Sequence, residues 1–100
     1  MLVMTEAELQ ANVLELARLL KWRCYHTFDS RRSEPGFPDL VMLRGERIIV
    51  AELKSERGRL TTEQDAWLDA FRAALAGADV TIAVWKPRDW LNGAIEDDLR

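Results

Sequence analysis

Asp39, Glu52 and Lys54 are the residues whose types and spacing can do chemistry. Asp39 opens one short apolar run, Glu52 lies near the end of the next, and Lys54 follows two places on. Two carboxylates side by side suit a hard divalent cation, which prefers oxygen ligands and activates water. The backbone carbonyl of Leu53, between Glu52 and Lys54, is within reach of the same ion. Lys54 adds a positive charge that can orient an attacking water or stabilise a developing oxyanion. Hydrolysis of a phosphodiester needs both services. Without a cation the two acids repel, and one takes up a proton. The plainer reading of the same residues is a structural ion pair of Lys54 with Glu52 or Asp39.

These side chains must be positioned by a hairpin. The stretches 39–43 and 47–54 are rich in Val, Ile and Leu, with a Gly-containing turn between them. A two-residue turn with Gly45 first and Glu46 second suits type II′. That turn pairs Arg44 with Arg47, Val41 with Val50, and Asp39 with Glu52. Directly opposed residues share a face, and Glu52 and Lys54 share it because they are two apart. Ile49, Ala51 and Leu53 then point into a core. A three-residue loop would move Asp39 and Glu52 to opposite faces.

The chain has 100 residues, enough for one domain, and 48% hydrophobic residues, enough for a core. No run approaches the ~18 apolar residues of a membrane span. The acidic, then amphipathic N-terminal stretch does not read as a signal peptide. One cysteine, Cys24, and one histidine, His26, exclude an intrachain disulfide and argue against a zinc site. A reducing, cytosolic setting is expected. A net charge of −3 argues against a nucleic-acid binder. Its distribution is uneven, however. Residues 21–59 hold nine bases and six acids, whereas residues 60–100 hold four bases and eight acids. Positive charge therefore gathers around the hairpin.

Taken in order, Thr5 to Leu20 reads as an amphipathic helix with Leu9, Val13, Leu16, Ala17 and Leu20 on one face. Thr5 is its expected N-cap. Glu6 and Glu8 fall in the first turn, where the helix dipole favours acids, or Glu6 with Gln10 reaches the hairpin's polar end. Lys21 to Phe28 alternates and reads as a strand, with Trp22, Cys24 and His26 on one face. His26 is either a satisfied structural histidine or a phosphate contact. The loop Asp29–Phe37 carries Arg31 and Arg32, candidate phosphate contacts. A second basic loop follows Lys54, with Arg57 and Arg59. Thr61 and Gln64 then match a capping box at the start of a helix running to about Ala76. Trp67, Leu68, Phe71, Ala74 and Leu75 form its expected buried face. Gln64 is a cap, an active-site hydrogen-bonder, or both. Gly77 closes that helix, Val80 to Trp85 reads as a strand parallel to the Glu52 strand after a right-handed crossover, and Asp89 to Leu99 reads as one final helix. The class is α/β, in the order α-β-β-β-α-β-α.

Pro38-Asp39 followed by Glu52-Leu53-Lys54 resembles the PD-(D/E)xK nuclease superfamily, whose sheet is restriction-endonuclease-like. The longer strings GFPDLV, AELKSERGRLTTEQ and VWKPRDW resemble the compact, phage-type branch of the VRR-NUC family, from Glu6 to about Leu91. The resemblance implies a Mg²⁺- or Mn²⁺-dependent, structure-specific DNA endonuclease. It implies metal ligation by Asp39, Glu52, the Leu53 carbonyl and an acid of the first helix, set at Glu6. It makes Lys54 the catalytic lysine and Gln64 the active-site glutamine. Stand-alone members resemble Holliday-junction resolvases and tend to be homodimers acting on branched DNA such as four-way junctions. Arg31, Arg32, Arg57, Arg59 and His26 are the expected DNA contacts. The alternatives are a sequence-specific or general nuclease of the same fold, and a catalytically idle DNA-binding module. The chain departs from the family pattern at Lys21-Trp22, where a Gly-aromatic pair commonly closes the first helix.

Overall fold

The computed structural model describes residues 4–29 and 31–100. Ser30, inside the loop expected at 29–37, lies outside them. The elements are α1 (Glu6–Leu19), β1 (Arg23–His26), β2 (Leu40–Arg44), β3 (Arg47–Leu53), α2 (Thr62–Ala74), β4 (Asp79–Trp85), α3 (Pro87–Leu91) and α4 (Ala94–Leu99). The strands form one mixed sheet in the order β1-β2-β3-β4, antiparallel except for β3 and β4. The expected α/β class and the parallel pairing of β3 with β4 hold.

The hairpin turn takes the register that the site needs. Arg44 pairs with Arg47, Val41 with Val50, and Leu40 with Ala51. Gly45 has φ +60 and Glu46 does not share the positive φ, as type II′ requires. Leu40, Met42, Ile49, Ala51 and Leu53 therefore lie on one face, all essentially inaccessible to water. α1 covers that face with Leu9, Val13, Leu14 and Ala17, and α4 adds Ile95 and Leu99. Each fully buried Leu, Ile or Val on this face stabilises by roughly 1.5–3 kcal/mol.

α1 begins with a capping box. Thr5 Oγ1 accepts from Glu8 N at 3.1 Å, and Glu8 Oε1 accepts from Thr5 N at 3.0 Å. The Thr-x-x-Glu pattern that encodes this pair is legible in the sequence. The helix closes in a Schellman arrangement: Trp22 N donates to Ala17 O at 2.9 Å and Lys21 N to Arg18 O at 3.1 Å. Lys21 supplies the left-handed residue, with φ +73, where glycine would carry no Cβ penalty.

Three expectations are corrected. α2 fully buries only Leu68 of its five-residue face; Trp67, Phe71 and Leu75 are half-buried and Ala74 is exposed. One helix over one half of a sheet face has no second layer above it. The final helix is two helices, because Gly93 turns the chain with φ +85 and Asn92 Oδ1 caps Ala94 N at 2.9 Å. Leu91 is consequently 76% exposed rather than packed. Asp39 stands one residue before β2 rather than inside it.

The C-terminal residues are held by a stack of two arginines on one indole. The Arg44 and Arg47 guanidinium carbons lie 4.6 and 5.0 Å from the Trp22 ring centroid. Arg44 donates to the Leu20, Leu99 and Arg100 carbonyls, Arg47 to that of Asp98, and Trp22 Nε1 to Leu99 O at 2.8 Å. These two arginines serve the fold. Because Lys21 pays the left-handed penalty, Lys21→Gly is expected to raise stability by about 1 kcal/mol, read as a higher urea midpoint at unchanged slope.

Candidate active site

The type II′ register leads past Leu40 and Ala51 to Asp39 opposite Glu52, at the end of the hairpin. Asp39 Oδ2 accepts from Leu53 N at 2.7 Å, which fixes its carboxyl against β3. Pro38 cannot donate to the ladder, and its carbonyl accepts from Thr27 Oγ1 at 2.8 Å, which anchors the approach to Asp39. Among the described residues Glu52 is the one charged residue of the buried set, with 2% exposure. Its Oε1 accepts from Gln64 Nε2 at 3.2 Å, while its Oε2 is buried with no hydrogen-bond partner among the described residues.

Burial first, and then hydrogen bonding and charge from the adjoining Asp39 carboxyl, together push the Glu52 carboxyl up to about 9. Lys54 opposes the shift and Glu6 adds to it. Two like charges about 4 Å apart repel by roughly 4 kcal/mol in protein surroundings. The pair therefore closes around either a proton or a cation. Among the described residues Lys54 makes no ion pair within 4 Å. The alternative of a structural ion pair with Glu52 or Asp39 does not hold.

The choice between the two acids of α1 follows from their partners. Glu8 is spent in the capping box, which holds its carboxyl below the usual range. The Glu6 carboxyl is raised, first by partial burial, then by the Asp39 charge, with Lys54 lowering it. Glu6 thus faces the pair electrostatically. Among the described residues, though, no three His, Cys, Asp or Glu side chains converge tightly enough to hold a metal by themselves. The donors in contact are Asp39 and Glu52.

Gln64 both caps α2 and hydrogen-bonds Glu52. Its Oε1 accepts from Thr61 N at 2.9 Å in the capping box, which leaves Nε2 to face Glu52. The cap thereby orients the amide. Gly58 closes the turn after Lys54, with its N donating to Ser55 O at 2.9 Å. A β-carbon there would come 3.3 Å from the Lys54 β-carbon.

The remaining expected contacts scatter. Arg57 and Arg59 are exposed on the loop after β3. Arg31 and Arg32 are 90% and 89% exposed and lie 3.6 and 3.7 Å from Asp29 carboxylate oxygens. His26 pairs with Leu40 and so lies on the α1 side of the sheet, away from Glu52 and Lys54. Its Nδ1 is buried without a partner among the described residues. Strand alternation puts it there, and the expected phosphate contact is not what this placement offers. Sequence reasoning missed Glu56. It accepts from Arg88 N at 3.0 Å and pairs with the Arg88 guanidinium, tying the Arg57–Arg59 loop to the start of α3. The two residues are 32 apart, and no local pattern links them.

The family model of the VRR-NUC domain matches residues 3–85. No curated protein matches the chain. Among solved structures, the chain is similar to Archaeoglobus fulgidus Hjc, a Holliday junction resolvase from an archaeal hyperthermophile. The identity is 21% and the TM-score 0.50, over 83% of this chain and 66% of that one. At this identity the likeness is one of fold, and the chain spans just under two thirds of that neighbour's length.

A pH dependence follows from Glu52. Its folded value lies above the ordinary carboxylate range, so the fold favours the protonated form. The metal-free protein is most stable below about pH 4.5 as far as this group is concerned, and loses that stability as pH rises towards 9. The slope for one proton is at most ~1.4 kcal/mol per pH unit. Thermal melts in EDTA from pH 5 to 9 are expected to fall for the native chain and to flatten in Glu52→Gln.

Proposed function

The chain belongs to the VRR-NUC nuclease family, and from that membership we propose that it is a divalent-metal-dependent endonuclease cutting branched DNA, four-way junctions above all. The observation that carries the proposal is the buried Asp39–Glu52 pair, with the Glu52 Oε2 orphaned and Lys54 unpaired within 4 Å among the described residues. An orphaned buried carboxylate oxygen beside a second carboxylate is what a hard oxygen-ligated cation would satisfy. Asp39, Glu52, the Leu53 carbonyl and Glu6 would be the residues to hold Mg²⁺ or Mn²⁺.

When bound, such an ion lowers the pKa of water and neutralises charge on the scissile phosphate. The chain's own residues do the rest. Leu53 N keeps the Asp39 carboxyl turned to the pair. Gln64 holds Glu52 Oε1, so Oε2 would be the oxygen left for the ion. Lys54, in the loop just after β3, orients the attacking water or stabilises the oxyanion. Arg57 and Arg59 are exposed beside the site and suit backbone phosphates. The fold neighbour's title names a Holliday junction resolvase, which supports a branched substrate here.

Two symmetric cuts in a junction suit a two-fold dimer. α2 packs on β3 and β4, and on the same face β1 and β2 leave side chains exposed. Tyr25 and Leu43 stand there 56% and 46% exposed, beside the half-buried Val41 and Ile48. That apolar strip supports a homodimer.

Nicking of four-way junctions, flaps and plain duplex is expected to require Mn²⁺ or Mg²⁺ and to stop in EDTA. Glu52→Gln and Lys54→Ala are each expected to lower the rate by about a hundredfold or more. Sequence-specific duplex cuts would favour the general-nuclease reading, and salt-sensitive DNA binding with no metal uptake the idle one. Light scattering is expected to give twice the 11.5 kDa chain mass, with Leu43→Glu returning the monomer. A wild-type monomer would dismiss the dimer.

A further inference from the structure

Gly36 lies three residues before Asp39, in the loop between β1 and β2, with φ +84. A β-carbon built on it would stand 2.6 Å from both Gln64 N and Glu63 O, and closer still to the Glu63 carbonyl carbon. All three are backbone atoms of the first turn of α2, so no side-chain rotation can relieve the clash. The contact is held from both sides. The Phe37 ring meets Trp67 edge-on at 5.1 Å and Phe71 at 6.0 Å, and Trp67 Nε1 donates to Pro35 O at 3.1 Å. The same turn of α2 carries Gln64, whose 3.2 Å bond to Glu52 is at the long end of the N–H···O range.

We propose that Gly36 is a positioning residue: its missing β-carbon lets α2 seat at the depth where Gln64 reaches Glu52. This rests on reading Asp39 and Glu52 as the catalytic pair. The loop that delivers Asp39 and the helix that delivers Gln64 then form one unit. A change at their contact acts on the acid pair without touching it. Gly77 is a matched comparison. It has φ +89, yet a β-carbon there would meet nothing within 4 Å. Gly36→Ala and Gly77→Ala share the backbone strain, and only the first adds the clash.

The test follows junction nicking in Mn²⁺ together with the Gln64 side-chain amide signals by NMR, in the native chain, Gly36→Ala, Gly77→Ala, Gln64→Ala and the Gly36→Ala/Gln64→Ala double variant. Gly36→Ala is expected to shift the Gln64 amide and to lower kcat about tenfold or more, with KM for the junction little changed. Gly77→Ala should do neither, and Gly36→Ala should cost little more once Gln64 is gone. Equal kcat in the two alanine variants with an unmoved Gln64 amide would overturn the proposal. Should Gly36→Ala not fold, Trp67→Phe, which removes the bond to Pro35 and shrinks the ring packed on Phe37, loosens the same contact and must move the amide and kcat in the same directions; no movement in either overturns it equally. A native chain that nicks nothing would sink the nuclease reading instead, while the amide comparison still decides the role of Gly36.

Discussion

Two carboxyl groups pressed together at the end of one hairpin, one of them almost without water, set the terms for the rest of this structure. Like charges in such a place cannot both stay ionised unless something positive joins them. The fold nevertheless keeps them in contact. Asp39 is pinned by the Leu53 amide and Glu52 by the Gln64 amide, so neither can swing out to solvent. A like-charged pair held together by donors from two elements is under electrostatic strain. Such strain is characteristic of sites that bind or react.

The hairpin is the common support. Its glycine turn decides which side chains oppose one another, and one extra residue there would move Glu52 to the other face from Asp39. The same register sends Leu40, Met42, Ile49, Ala51 and Leu53 into the core under α1. Core and acid pair are therefore set by one choice of turn. α1 places Glu6 towards the site because its capping box uses Glu8 and leaves Glu6 over. α2 repeats the device, except that its capping residue, Gln64, has a second polar end, and that end meets Glu52.

Where sequence and structure part, the reasons are local and physical. A 3–4 periodic run across 89–99 looks like one helix, but Asn92-Gly93 breaks it, since the left-handed glycine and the asparagine cap are worth more than continued helix there. The apolar stripe of α2 looks like a buried face, but it covers only half of the sheet's second side, so most of it is only half-buried. His26 belongs to the right strand but the wrong face, which alternation from Cys24 already implied. Lys21 takes a glycine's conformation without being glycine, because the Schellman bonds of its neighbours outweigh the cost.

Turn chemistry, capping patterns and strand alternation act over a few residues, and these are the features the chain spells out on its own. From them come the α/β class, the type II′ turn, the caps at Thr5 and Thr61, and the opposition of Asp39 and Glu52. Contacts across long stretches of chain carry no such local signature. Folding alone decided that Glu52 would be sealed from water, that Gly36 would lie against the backbone of α2, and that Glu56 would reach Arg88. Each depends on the distance between elements rather than on the order of residues within one. For Gly36 and α2 that distance is settled by how the side chains of Phe37, Trp67 and Phe71 pack between the loop and the helix.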